Sequence, residues 1–129
     1  MSNRKLGNEF ESELCKILFN HGFWCHNLAQ NQAGQPADVI AAKNGIPYLI
    51  DCKVCSNRTF SKTRIEENQW LAMTLWQECG NGSGWFAVKF DDRIYMIALK
   101  VFICANLNNL SEEWFCQNGM TLEDWLSAI

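Results

Sequence analysis

The chain has no basic excess: 11 lysines and arginines stand against 14 aspartates and glutamates, a net charge of −3. That balance counts against a large nucleic-acid footprint, because such binders carry surplus cations to neutralise phosphates. There is also no apolar run near 20 residues, and the opening stretch Met1-Ser2-Asn3-Arg4-Lys5-Leu6-Gly7-Asn8-Glu9 is polar. Neither a membrane span nor an export leader is expected, and the protein should be soluble and intracellular, in the cytoplasm. Cys52 and Cys55 have ligand spacing, but no second Cys-x-x-Cys or Cys/His pair completes a four-ligand site; His21, Cys25 and His26 come nearest. The seven cysteines, an odd number in mostly apolar surroundings, are therefore expected to be free thiols in a reducing compartment rather than a disulfide framework.

What is present is enough apolar material for a core. With 129 residues and 48% hydrophobic content, residues 1–129 are expected to form one domain. Leu6 to Asn20 places Leu6, Phe10, Leu14, Ile17 and Leu18 at helical spacing, and His21-Gly22 supplies a stop. Glu9, Glu13 and Lys16 share the outward face of that helix. Glu11 instead lies in line with Leu14, Cys15 and Leu18, and a carboxylate on a packed face costs free energy unless something pairs with it.

The densest chemistry sits in Tyr48-Leu49-Ile50-Asp51-Cys52-Lys53-Val54. Alternate residues of a strand share a face, so Asp51 and Lys53 should project together while Ile50 and Cys52 enter the core. Asp38 precedes another apolar run, and the Asn44-Gly45 step between the two runs is a hairpin signal. Two antiparallel strands would then bring Asp38 and Asp51 to the same end of a sheet. Carboxylates that close repel unless protonated or bridged, and such hard oxygen ligands suit Mg²⁺ or Mn²⁺. A lysine beside them can orient a water and offset charge on a phosphate, which points to metal-dependent phosphodiester hydrolysis.

Asp38, followed after an interval by Asp51-Cys52-Lys53, resembles the PD-(D/E)xK nuclease superfamily. Taken together, Gly7-Asn8-Glu9-Phe10-Glu11, His21-Gly22-Phe23-Trp24-Cys25, Pro36-Ala37-Asp38-Val39 and Asn44-Gly45 through Lys53 are similar to its archaeal-type Holliday junction resolvase branch, over roughly residues 5 to 75. The resemblance implies a restriction-endonuclease-like α/β fold, with a central mixed sheet of about five strands flanked by helices. It also implies a metal-dependent endonuclease acting on DNA, with Glu11, Asp38 and Asp51 binding Mg²⁺ or Mn²⁺ and Lys53 acting on the attacking water or the developing charge. The backbone carbonyl of Cys52, lying between two site residues, is expected to add a metal ligand. In related nucleases a polar residue from the following helix approaches the site, which makes Gln69 a catalytic candidate; a satisfied amide at the helix edge is the alternative.

Between Lys53 and Arg64 the chain is basic and hydroxyl-rich, so Arg58, Lys62 and Arg64 are candidate nucleic-acid contacts, or else members of a solvated loop. Phe23 to Gln30 is expected as a first strand, and Asn31 to Pro36 as a polar loop reaching the site. Ile65 to Cys79 predicts a second helix with Ile65, Ala72, Trp76 and Cys79 along one stripe, ended by Gly80 to Gly84. Trp85–Lys89 and Arg93–Leu99 predict a hairpin whose Asp91-Asp92 turn is solvated rather than metal-binding. Helical fragments are expected over Val101–Leu107, Ser111–Cys116 and Thr121–Ala128, with Ser111 and Thr121 as caps. The apolar side chains there, Trp114, Phe115 and Trp125 among them, either form a homodimer surface or cover the sheet. Two other functional classes remain open: a non-catalytic nucleic-acid-binding or phage accessory protein keeping the nuclease fold, and an interaction domain in which Asp51 and Lys53 merely pair.

Overall fold

A computed structural model describes residues 3–28 and 37–129. Helix α1 spans Asn3–Asn20 and buries Phe10, Leu14 and Leu18, four residues apart, along one stripe. It ends where Gly22 takes a φ of +86°, with Gly22 N–H donating to the Phe19 carbonyl and Phe23 N–H to that of Leu18. Those two bonds form a Schellman cap, which needs the left-handed residue that glycine supplies. The Lys43 ammonium donates to the His21 carbonyl at 2.7 Å, a cation placed at the negative end of the helix.

Strands follow at β1 (Trp24–Asn27), β2 (Val39–Lys43), β3 (Ile46–Cys55) and β4 (Thr59–Ser61). After a 3-10 turn at Lys62–Arg64 come α2 (Glu67–Glu78), β5 (Trp85–Phe90), β6 (Arg93–Ala98), α3 (Leu99–Ile103), β7 (Asn109–Ser111), α4 (Glu112–Asn118), β8 (Met120–Thr121) and α5 (Leu122–Ser127). One mixed sheet has the order β1-β2-β3-β5-β6-β8, and β4 pairs with β7 in a separate ribbon. Among the described residues only β3 and β5 run parallel, with Asp51 beside Phe86, and α2 lies in the crossover between them. The β2–β3 hairpin turns at Asn44 and Gly45, whose φ values of +55° and +78° are those of a type I′ turn.

Both faces of the sheet are covered. Under α1 and α5 lie Phe10, Leu14, Ile50, Cys52, Ala87 and Trp125; on the other face Leu49, Met73, Phe86, Val88, Phe102 and Phe115 pack together. This revises one expectation: β3 is buried on both faces, so Asp51, 1% exposed, projects into the protein rather than outward. The main sheet has six strands, and the sixth is the two-residue β8. The predicted second helix begins two residues later than Ile65, and its buried residues are Gln69 and Met73, while Cys79 at the end of the expected stripe is exposed.

Ser111 and Thr121 accept from the N–H groups of Trp114 and Asp124, as their cap positions required. The C-terminal apolar side chains cover the sheet instead of forming an outer face. Trp125 stacks on Phe23 at 5.8 Å and meets Tyr48 edge-on at 5.3 Å, Phe115 is fully buried, and Trp114 stacks on Phe102. All seven cysteines are free, and Cys52 and Cys55 belong to opposite core layers, so they do not form a ligand pair. No helix among the described residues is long and apolar enough to cross a membrane.

Candidate active site

The site forms where β2 begins and β3 runs past it. Val39 pairs with Ile50, and Asp38, one residue before the strand, donates its N–H to the Ile50 carbonyl at 3.1 Å. The Cys52 N–H, beyond the β2–β3 ladder, donates to Asp38 Oδ2 at 2.8 Å. A side chain has taken the place of a backbone acceptor, and this fixes the Asp38 carboxylate against β3.

Asp51 faces α2. Its Oδ1 accepts from Gln69 Nε2 at 3.1 Å, and Lys53 Nζ stands 3.3 Å from its Oδ2. That second contact is an ion pair without hydrogen-bond alignment, so Oδ2 is buried with no aligned donor among the described residues. Gln69, the polar residue expected to approach from the following helix, has both ends of its amide engaged. Its Oε1 accepts from the Glu66 N–H at 3.2 Å at the start of α2, while its amide N–H reaches Asp51. The helix N-terminus and the strand carboxylate are thus tied through one buried side chain.

Glu11 is the buried carboxylate that the α1 periodicity singled out, 7% exposed. Burial first, and the nearby Asp38 charge second, push its pKa up to about 7. Burial likewise pushes the Asp51 carboxyl well above its usual range; Lys53 pulls it back and Asp38 raises it again. Glu11, Asp38, Lys53 and Gln69 line one open cleft of about 710 Å³, together with Cys52 and Arg64. Asn8 and Glu66 line it too and were not singled out from sequence. Asn8 was findable, since it lies three residues before Glu11 on the same helical face; Glu66 had no such signal.

The three basic candidates separate. Arg64 lines the cleft, but its guanidinium donates to the Val54 carbonyl at 2.8 Å and lies 4.9 Å over the Phe60 ring. Lys62 Nζ donates to the carbonyls of Ala105 and Ile103 at 2.7 and 3.3 Å, tying the 3-10 turn to the end of α3. Arg58 is exposed and borders a neighbouring groove with Asp91 and Glu112. The polar loop expected over Asn31–Pro36 lies outside the described residues.

Among the described residues, no group of three His, Cys, Asp or Glu side chains stands close enough to hold a metal ion as placed. The donor chemistry nevertheless fits a hard divalent cation. Two of the acids have raised proton affinity, and the buried Oδ2 of Asp51 lacks an aligned donor.

No curated protein matches the sequence significantly. Among solved structures, the chain superposes on Hjc of Archaeoglobus fulgidus, a Holliday junction resolvase from an archaeal hyperthermophile, with a TM-score of 0.74. The sequence identity is 16%, over 93% of this chain and 99% of that one, a likeness of fold, and that fold is restriction-endonuclease-like. The archaeal Holliday junction resolvase (Hjc) family model matches residues 1–129, well beyond the stretch that carried the motifs. Archaeal Holliday junction resolvases are metal-dependent, structure-selective nucleases. An acid fixed at the start of β2, a lysine on β3 and a glutamate on α1 line one cleft here, with the Asp51 carboxylate buried beside that lysine, and the chain carrying them belongs to the archaeal Holliday junction resolvase family.

Proposed function

We propose that this protein is an endonuclease that hydrolyses phosphodiester bonds in branched DNA, using Mg²⁺ or Mn²⁺ held by Glu11, Asp38, Asp51 and the Cys52 carbonyl. The observation that carries the proposal is the Lys53 ammonium, 11% exposed, 3.3 Å from the Asp51 carboxylate beside a cleft that Asp38 and Glu11 also line. A purely structural ion pair would leave those two acids unexplained. When bound, the cation supplies Lewis-acid polarisation of the phosphate and lowers the pKa of water.

The chain's own residues position and balance charge. Gln69 holds Asp51 in one orientation, the Cys52 N–H holds Asp38, and Lys53 offsets the charge that builds on the phosphate. Arg58, exposed near the cleft, is assigned a backbone phosphate; Arg64 contributes positive charge at the cleft wall while held by Val54, and Lys62 acts at longer range. Resolving a four-way junction requires two incisions, so the proposal includes a homodimer of symmetry-related sites acting in the cytoplasm.

Cleavage of four-way, flap, nicked and linear DNAs with Mg²⁺, Mn²⁺ or EDTA tests the activity. Metal-dependent cutting of the branched substrates is the expected result. Metal-independent cutting, or none on any DNA, would overturn it. Light scattering tests the assembly, and a mass near 14.8 kDa would remove the paired-incision component.

A further inference from the structure

Seven free cysteines are distributed over the fold, and two of them meet. Cys15, on α1, and Cys25, on edge strand β1, bring their sulfurs to 3.1 Å, with Cys25 Sγ donating to Cys15 Sγ. Both are partly exposed and border a shallow groove of about 430 Å³ with Lys16, Phe19 and Asn20. Small oxidants can therefore reach the pair from solvent, unlike Cys52 and Cys55, which are buried.

We propose that Cys15 and Cys25 are a dithiol oxidation site, at which a peroxide converts the pair to an intrachain disulfide joining α1 to β1. The donated hydrogen bond lowers the Cys15 thiol below its ordinary value, which makes Cys15 the nucleophile. The Cys15 thiolate attacks one peroxide oxygen; an S–O bond forms, the O–O bond breaks, and hydroxide leaves and takes up a proton. The Cys25 sulfur, giving up its proton, then attacks the sulfenic sulfur; the S–S bond forms and the S–O bond breaks with loss of water. Two thiols lose two electrons in all, and hydrogen peroxide is reduced to two waters.

Such a bond closes a short loop across the α1–β1 turn and pins the helix that carries Glu11 one turn before Cys15. The edge strand, held on one side by β2, would gain a covalent anchor on the helix above it.

Trypsin cuts after Lys16 and so separates the two cysteines into the peptides Leu6–Lys16 and Ile17–Lys43. The full-length protein, treated with hydrogen peroxide and mapped without reduction, should yield these two peptides linked, with loss of two hydrogens that dithiothreitol restores. The thermal midpoint of the oxidised protein should rise, and Cys25→Ser should abolish both the link and the rise. Overturning results are oxygen addition at Cys15 or Cys25 without the linked peptide, or linkage only through the exposed Cys79, Cys104 and Cys116. If Cys25→Ser fails to fold, the wild-type peptide map decides alone.

Discussion

Gly84, just before β5, packs directly against Met73 of helix α2, and Gly84→Ala tests how that contact governs the site. A Cβ built there would lie 2.5 Å from Met73 Cγ and Sδ and 2.7 Å from Met73 Cβ. Ordinary carbon contacts are about 3.5–4.0 Å, so the overlap is roughly 1 Å. Met73 is fully buried, and the clash reaches its Cβ, so a change of rotamer does not clear it. The helix itself must move, at a cost of about 1–3 kcal/mol for an overpacked core. At roughly 4 °C per kcal/mol, the melting midpoint should fall by about 4–12 °C. Met73 stands one turn beyond Gln69 on the same helix, so the displacement should stretch the 3.1 Å bond from Gln69 to Asp51 and reduce cleavage without changing any residue of the cleft. Met73→Ala alone should cost about 2–5 kcal/mol through the cavity it leaves. In the double variant the methyl added at position 84 occupies part of that cavity, so the combined loss should be smaller than the sum by about 1 kcal/mol or more. Urea or thermal melts of the four proteins measure the cycle. Additive losses, or a Gly84→Ala variant within about 0.5 kcal/mol of wild type, would refute the packing account.

Three further outcomes are expected. The Glu11 carboxyl titrates near 7 when folded against an ordinary 4.5, so without metal the wild type should lose stability as pH rises from 4.5 through 7. Glu11→Gln should melt like wild type near pH 4.5 and be more stable at pH 8, by up to about 3 kcal/mol, and parallel melting curves at the two pH values would contradict this. Lys53→Met should lower single-turnover cleavage by about 10²-fold or more while Mn²⁺ still binds by calorimetry; unchanged cleavage would transfer its role elsewhere. Glu112, held to about 2 chiefly by its hydrogen bond from Arg93 and next by that from Tyr95, supports the fold above its ordinary pKa and loses that support as pH falls from 4.5 toward 2. Glu112→Gln should therefore flatten the acid limb of a stability–pH profile, and an unchanged limb would exclude the triad as its source.

The parts of the site legible in the sequence were those set by short periods. Asn44-Gly45 fixed the hairpin register, and with it the meeting of Asp38 with β3; the helical period exposed Glu11 as a carboxylate among Phe10, Leu14 and Leu18. What was not legible depended on contacts distant in sequence. The hydroxyl-rich stretch after β3 becomes β4 and a 3-10 turn because β7 pairs with it and the carbonyls of Ile103 and Ala105, at and just past the end of α3, take Lys62. The two-residue β8 is too short to show alternation. Helices α4 and α5, seven and six residues long, offer too few turns to tell a buried stripe from an exposed one, so composition alone left the burial of Phe115 and Trp125 open.

The parallel ladder between β3 and β5 has a consequence for the order in which the molecule forms. Each of these strands belongs to a hairpin closed by a two-residue turn, β2–β3 at Asn44-Gly45 and β5–β6 at Asp91-Asp92. Local closures of this kind take microseconds. Pairing Ile50 with Trp85 must instead close a loop of more than thirty residues, and α2 has to settle across it. The bond from Gln69 to Asp51 spans that same closure. The bare hairpins carry Asp38, Asp51 and Lys53 but lack the amide that holds Asp51, so the cleft becomes complete only when the slowest contacts form. In pulsed hydrogen exchange, the β3–β5 amides should then gain protection after those of the β2–β3 turn, and at the same time as cleavage activity returns.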